Sequence, residues 1–223
     1  KLTQRIGERH LEAYCYLSLG RLDGLLQDYE AAALNMHKAI PLFREARNFF
    51  AYGNALLALS VNGIVRGRLD DARPLIRENV AIQRTRGSGF GVAQSLLVES
   101  RLDLCAGNWD AAAGLAEQAL EMAERIANPE FTHTARVTLA RTELAVMDFE
   151  SAMPLLQKAY ESALNSDRRA EMSVALNFLC LAHLGFGEIE AARSAVEQAL
   201  LMAESAESYG NAAIARIGIG RIA

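Results

Sequence analysis

The sequence predicts an all-α solenoid of about five and a half helix-pair units, each forty residues long. Three observations carry this. One set of side chains recurs every forty residues without insertion. Cap residues stand in fixed columns, each followed by apolar residues at helical spacing. No alternation of period two persists long enough to make a strand.

The repeat is anchored on Gly107-Asn108-Trp109-Asp110-Ala111-Ala112. Forty-residue steps give a large apolar column, Tyr29, Leu69, Trp109, Phe149 and Ile189. An acidic column follows it, Glu30, Asp70, Asp110, Glu150 and Glu190. Two places on comes alanine every time: Ala32, Ala72, Ala112, Ala152 and Ala192. The acid suits the first turn of a helix, where it complements the macrodipole, and the alanine lets a partner helix come close. Asp28, Asn108 and Asp148 stand just before, as N-caps.

Each unit pairs a helix A with a following helix B, over approximately 3–46, 49–86, 89–127, 129–165 and 168–207, with an unpaired helix at 209–222. The B helices lie near 29–46, 69–86, 109–127, 149–165 and 189–207; in the third, Leu115, Ala116, Ala119, Leu120 and Ala123 form the apolar stripe. The A helices open on Asn48, Ser88, Asn128 and Ser208, with Arg168 the exception. Their core columns are Leu19, Leu59, Leu139, Leu179, Ile219 and the small set Gly20, Ser60, Ser100, Ala140, Cys180, Gly220; Glu99 interrupts the first. Helices this short are marginal alone, so each must bury its stripe on neighbours. The whole of 1–223 reads as a single helical repeat domain.

Composition agrees. Hydrophobic residues are 51% and charged residues 22%, enough for a packed core. The net charge of −4 offers no general attraction to nucleic acid or anionic membrane, and basic patches interleaved with aromatics are lacking. No apolar run is long enough to span a bilayer, and the isolated Cys15, Cys105 and Cys180 fit a reducing, cytoplasmic compartment. The start, Lys1-Leu2-Thr3-Gln4-Arg5, has neither an initiator methionine nor a signal-peptide core, so a piece of a larger protein is expected. Arginine dominates the basic residues, with only Lys1, Lys38 and Lys158 as lysine, and points to a GC-rich bacterial source.

The pattern argues against an enzyme. His10, His37, His133 and His183 fall in unrelated columns, so no metal site is expected. Gly87-Ser88-Gly89-Phe90-Gly91 has the composition of a phosphate loop but follows a helix and coincides with a connecting turn. No cofactor is expected.

The columns resemble the tetratricopeptide repeat (TPR): Leu19, Gly20, Tyr29, Ala32, Met36 and Ala39 in the first unit, and Trp109, Ala112, Ala116 and Ala119 in the third. The resemblance covers the chain and implies a right-handed α-α superhelix. A forty-residue period exceeds the family's usual length, and the proline that usually closes helix B is missing. In style the array is similar to the effector-sensing regions of bacterial transcriptional activators that couple a nucleotide-binding (STAND) switch domain to a LuxR-type helix-turn-helix.

That fold implies a concave groove lined by A helices. Residues 14, 17, 21 and 24 share one helical face, repeated at each step. Column 21 reads Arg21, Val61, Arg101, Arg141, Leu181, Arg221; nearby columns add Tyr14, Asn54, Gln94, Thr134 and Asn177. Neighbouring helices pack about 10 Å apart, which would let Arg101 and Arg141 grip one anionic group. The alternative is a solvated groove whose arginines pair with acids on adjacent helices. The functional expectation is an interaction module of a larger bacterial transcriptional or signalling regulator, taking a protein or acidic peptide, or another domain of the parent chain, in its groove. The second expectation is a sensor for a small anionic effector in the same groove.

Overall fold

The structure, a computed structural model, describes residues 2–222, with side chains from residue 8 onward. Eleven α-helices and no strand occur among the described residues: α1 (Leu2–Leu25), α2 (Tyr29–Glu45), α3 (Phe49–Val65), α4 (Leu69–Thr85), α5 (Gly89–Cys105), α6 (Trp109–Ile126), α7 (Pro129–Ala145), α8 (Phe149–Leu164), α9 (Arg169–Gly185), α10 (Ile189–Ser205) and α11 (Tyr209–Ile222). Odd-numbered helices are A and even-numbered helices B.

The turns explain the constant spacing. A left-handed residue closes each helix at intervals of twenty: Gln27, Arg47, Gly67, Gly87, Gly107, Ala127, Met147, Asp167, Gly187 and Glu207. Around most of them the backbone makes the two bonds of a Schellman motif. Thus Asp148 N donates to Glu143 O at 2.9 Å and Met147 N to Leu144 O at 3.2 Å. The next residue then caps the following helix. Asp28 accepts from Ala31 N at 3.0 Å, Asn48 from Ala51 N at 3.1 Å, and Ser88 from Gly91 N at 3.1 Å. Asn128 and Asp148 cap in the same way, at 3.0 Å each. Arg168 makes no side-chain cap bond; its guanidinium instead meets Glu171 at 2.5 Å, in the first turn of the helix it precedes.

The helices form two compact units, Lys1–Gly107 and Asn108–Ala223. In the first, Met36, Ala39 and Phe43 of α2 are fully enclosed by Ala13 and Leu17 of α1 and by Ala51, Ala55 and Leu56 of α3. Leu57, Ile64, Ala72, Ile76, Val98 and Leu102 continue the core. In the second, Ala152, Leu156, Leu179, Cys180, Ala192, Val196 and Ala199 do the same work. The alanine column is buried from Ala32 to Ala192 because small residues face it. A Cβ on Gly20 would come within 2.8 Å of Met36 Cε and 3.0 Å of Ala32 O. Ser60, Ser100, Ala140 and Cys180 repeat that close approach, all buried. Glu99, which breaks the leucine column, lies in the field of Arg73, whose guanidinium also holds Asp103 at 2.8 Å.

The A and B helices also exchange polar contacts in register. His133 Nδ1 lies 3.1 Å from Ala159 O, and Ser173 Oγ, forty residues on, donates to Ala199 O at 2.8 Å. Both side chains are buried, so these contacts satisfy groups that would otherwise be stranded.

Candidate functional site

Residues on columns 14, 17 and 21 of the A helices line one cavity in each unit. In the first unit it measures about 400 Å³ and is bordered by Arg21, Asn54 and Gln94, with Leu57, Val61 and Val98 as its apolar wall. Three site residues chosen from the sequence thus share one opening. Asn62 also borders it, but its amide donates to Tyr29 O at 2.9 Å, tying α3 to the start of α2.

Two others in this unit stand apart from the cavity lining. Tyr14 is held against the second turn: its hydroxyl accepts from Asn48 Nδ2 at 3.2 Å, and its ring meets Phe43 edge-on at 5.0 Å. It therefore buttresses the cap of α3. Arg101 is half-buried, and its Nε has no hydrogen-bond partner. Arg101 and Arg141 fall in different units, so each is described with its own.

In the second unit a cavity of about 190 Å³ lies among α9, α10 and α11. Asn177 and Arg221 line it, with Phe178, Leu181, Leu184, Ile214 and Ile217 supplying apolar surface. Cys180 contributes as a neutral thiol, since burial pushes its pKa up. Arg141 joins indirectly: its guanidinium sits over the Phe178 ring, 5.4 Å from the centroid. Thr134, on column 14, is occupied locally, its hydroxyl donating to Glu130 O at 3.1 Å.

Asn177 is the exception in its column. The equivalent positions are Leu17, Leu57, Leu97, Val137 and Ile217, all aliphatic. Asn177 is 9% exposed, and its Nδ2 is enclosed with no hydrogen-bond partner. Column reading missed Phe178, which lies one residue beyond the tracked face. Its signal is composition: the other members of its column are Ser18, Ala58, Val98, Thr138 and Gly218, so it alone is aromatic.

The histidines do not converge. His183 Nδ1 meets Glu188 Oε2 at 2.6 Å, and His10 stacks edge-on with Tyr14. Among the described residues no group of three or more His, Cys, Asp or Glu is placed to hold a metal ion, and no helix is long and apolar enough to cross a membrane.

No family model matches the sequence, and no curated protein does. Solved structures do match in fold. The apo form of RapI shares 16% identity over 93% of this chain and 80% of its own, with a TM-score of 0.74. The Signal Transduction ATPase with Numerous Domains (STAND) protein with a tetratricopeptide repeat sensor, from Pyrococcus horikoshii, shares 17% over 96% of this chain, with a TM-score of 0.71. A Rap protein complexed with Competence and Sporulation Factor shares 11% over 98%, with a TM-score of 0.70. This chain spans 33% of the STAND protein and 64% of that Rap protein. The fold is a TPR-like helical repeat.

Proposed function

We propose that this chain is an interaction module of a larger bacterial regulator in the cytoplasm, and that it binds an acidic protein or peptide segment along the A-helix face. The observation that carries the proposal is the sharing of one cavity by Arg21, Asn54 and Gln94. A cation beside two carboxamides, set against aliphatic surface, suits a chain that offers carboxylates, backbone amides and apolar side chains together. Two similar structures lend support: one carries its repeats as a sensor, the other is complexed with a factor.

Panning a peptide library against the chain tests this. Acidic peptides should be enriched, and Arg21→Glu should weaken them by at least about tenfold, since a like charge replaces an attractive one. Enriched peptides that bind the Arg21→Glu and Arg141→Glu variants as well as the parent would contradict it.

A further inference from the structure

We propose that the cavity of the second unit binds an apolar monocarboxylate, whose acid group accepts a hydrogen bond from Asn177 Nδ2 with Arg221 beside it. This deepens the proposal above, and rests on it only in taking the A-helix face as a binding surface.

The case begins with a polar atom out of place. A buried amide donor without an acceptor is unfavourable, and native proteins leave few of them. Structure alone does not require an amide here, because five equivalent positions use aliphatic side chains. Leu17, Leu57, Leu97 and Val137 are at most 7% exposed, so the aliphatic choice packs well. Asn177 therefore keeps a donor available at a position where leucine would serve packing better.

Its surroundings define what would accept from it. Phe178, Leu181, Leu184, Ile214 and Ile217 make a largely apolar enclosure. Leu181, Ile214 and Ile217 are 46%, 56% and 58% exposed, leaving apolar surface for a ligand to cover. Arg221 is the charged member of the lining, and no acid accompanies it. A further cation, Arg141, stands over Phe178. A cationic or purely apolar ligand would leave either Arg221 or Asn177 unmatched, whereas a carboxylate on a short alkyl or aryl body answers both. The enclosure, about 190 Å³, is below the usual size of drug-like sites and fits a small group. Such a group has two sources: a free organic acid, or the carboxyl-terminal aliphatic residue of a peptide.

Calorimetry on the 223-residue chain distinguishes these, using octanoate, octylamine, acetyl-Gly-Leu and its carboxamide. Octanoate or acetyl-Gly-Leu should bind, with the tighter of the two naming the source, while octylamine and the carboxamide should be weaker by at least about tenfold. Asn177→Leu should weaken the carboxylate by a similar factor and also raise the melting temperature, because it removes the unpaired donor. Arg221→Gln should weaken binding and leave melting unchanged. A fall in melting temperature with Asn177→Leu would assign the amide to structure and overturn the proposal. So would carboxylate binding equal in the two variants and the parent, or no binding of either carboxylate at millimolar concentration. If neither carboxylate binds but acidic peptides still depend on Arg21, this inference alone fails; if acidic peptides also fail, the interaction proposal falls with it.

Discussion

The carboxamide of Asn79 fills the space that a side chain at Gly53 would need. A Cβ placed on Gly53 would collide with Asn79 Oδ1 and with Gln83 Nε2. Asn79 then donates to Ser95 Oγ at 2.8 Å and accepts from Gln83 at 3.2 Å, forming a buried polar strand between α4 and the A helices. The same pair of columns holds Ala13 with Ala39, His133 with Ala159 and Ser173 with Ala199. One side of each crossing is therefore small, and the polar group comes from whichever helix has room.

Gly53→Ala should destabilise the first unit by about 1–3 kcal/mol through overpacking against that carboxamide. Asn79→Ala should also destabilise, by stranding its partners. The double variant recreates the alanine pair of the first repeat and should cost less than the two changes summed. Urea denaturation of all four proteins measures the coupling, and strict additivity would refute the contact.

Met147 occupies a left-handed turn at φ 62°, where its Cβ crowds the following carbonyl. Met147→Gly should stabilise the chain by about 1 kcal/mol, and Gly187→Ala, in the equivalent turn, should cost a similar amount. Chemical denaturation decides both. A destabilised glycine variant would mean that the exposed Met147 side chain contributes more than its backbone strain.

Ala152 is wholly enclosed in the core of the second unit. Ala152→Asp should cost about 3–5 kcal/mol, because the charge finds no partner there. Ala111, exposed one residue before the same column, should accept aspartate with little change. Thermal melts of the two variants compare them directly, and equal effects would place the alanine column at the surface.

His133 and Glu171 couple stability to acidity in opposite senses. Burial, ahead of repulsion by Arg168 and Arg136, lowers the His133 pKa below its ordinary 6.5. Once pH drops under that value the unfolded chain binds protons that the folded one refuses, so stability falls with falling pH. Burial raises the Glu171 pKa above 4.5 despite Arg168, so its contribution turns unfavourable as pH rises through the carboxylate range. His133→Asn should flatten the loss of stability between about pH 7 and about pH 5. Denaturation at stepped pH checks this, and an unchanged slope would remove His133 as its source.

The repeat was legible because sterics act at single positions: small residues must recur where helices touch, as at Ala152 and Cys180, and caps must recur where helices start. The groove was legible in part. Arg21, Asn54 and Gln94 do share a cavity, and Asn177 and Arg221 share another. Tyr14 lies on the same column as Asn54, yet its length carries the hydroxyl to Asn48, a contact that position alone does not encode. The stacking of Arg141 on Phe178 is hidden for a similar reason, since it depends on how one helix leans against the next. The closing turns were half visible. Glycine marks Gly67, Gly87, Gly107 and Gly187, whereas Gln27, Arg47 and Met147 adopt the same conformation without the residue that announces it.

Because a left-handed joint falls every twenty residues, the chain is divided into interchangeable cassettes with matching ends. A duplication or deletion of forty residues, cut at two such joints, would rejoin a helix to a cap of the type it already meets. Arrays of this design can change length by recombination without inventing a new junction, and a foreign pair carrying a different groove residue could be spliced in on the same terms.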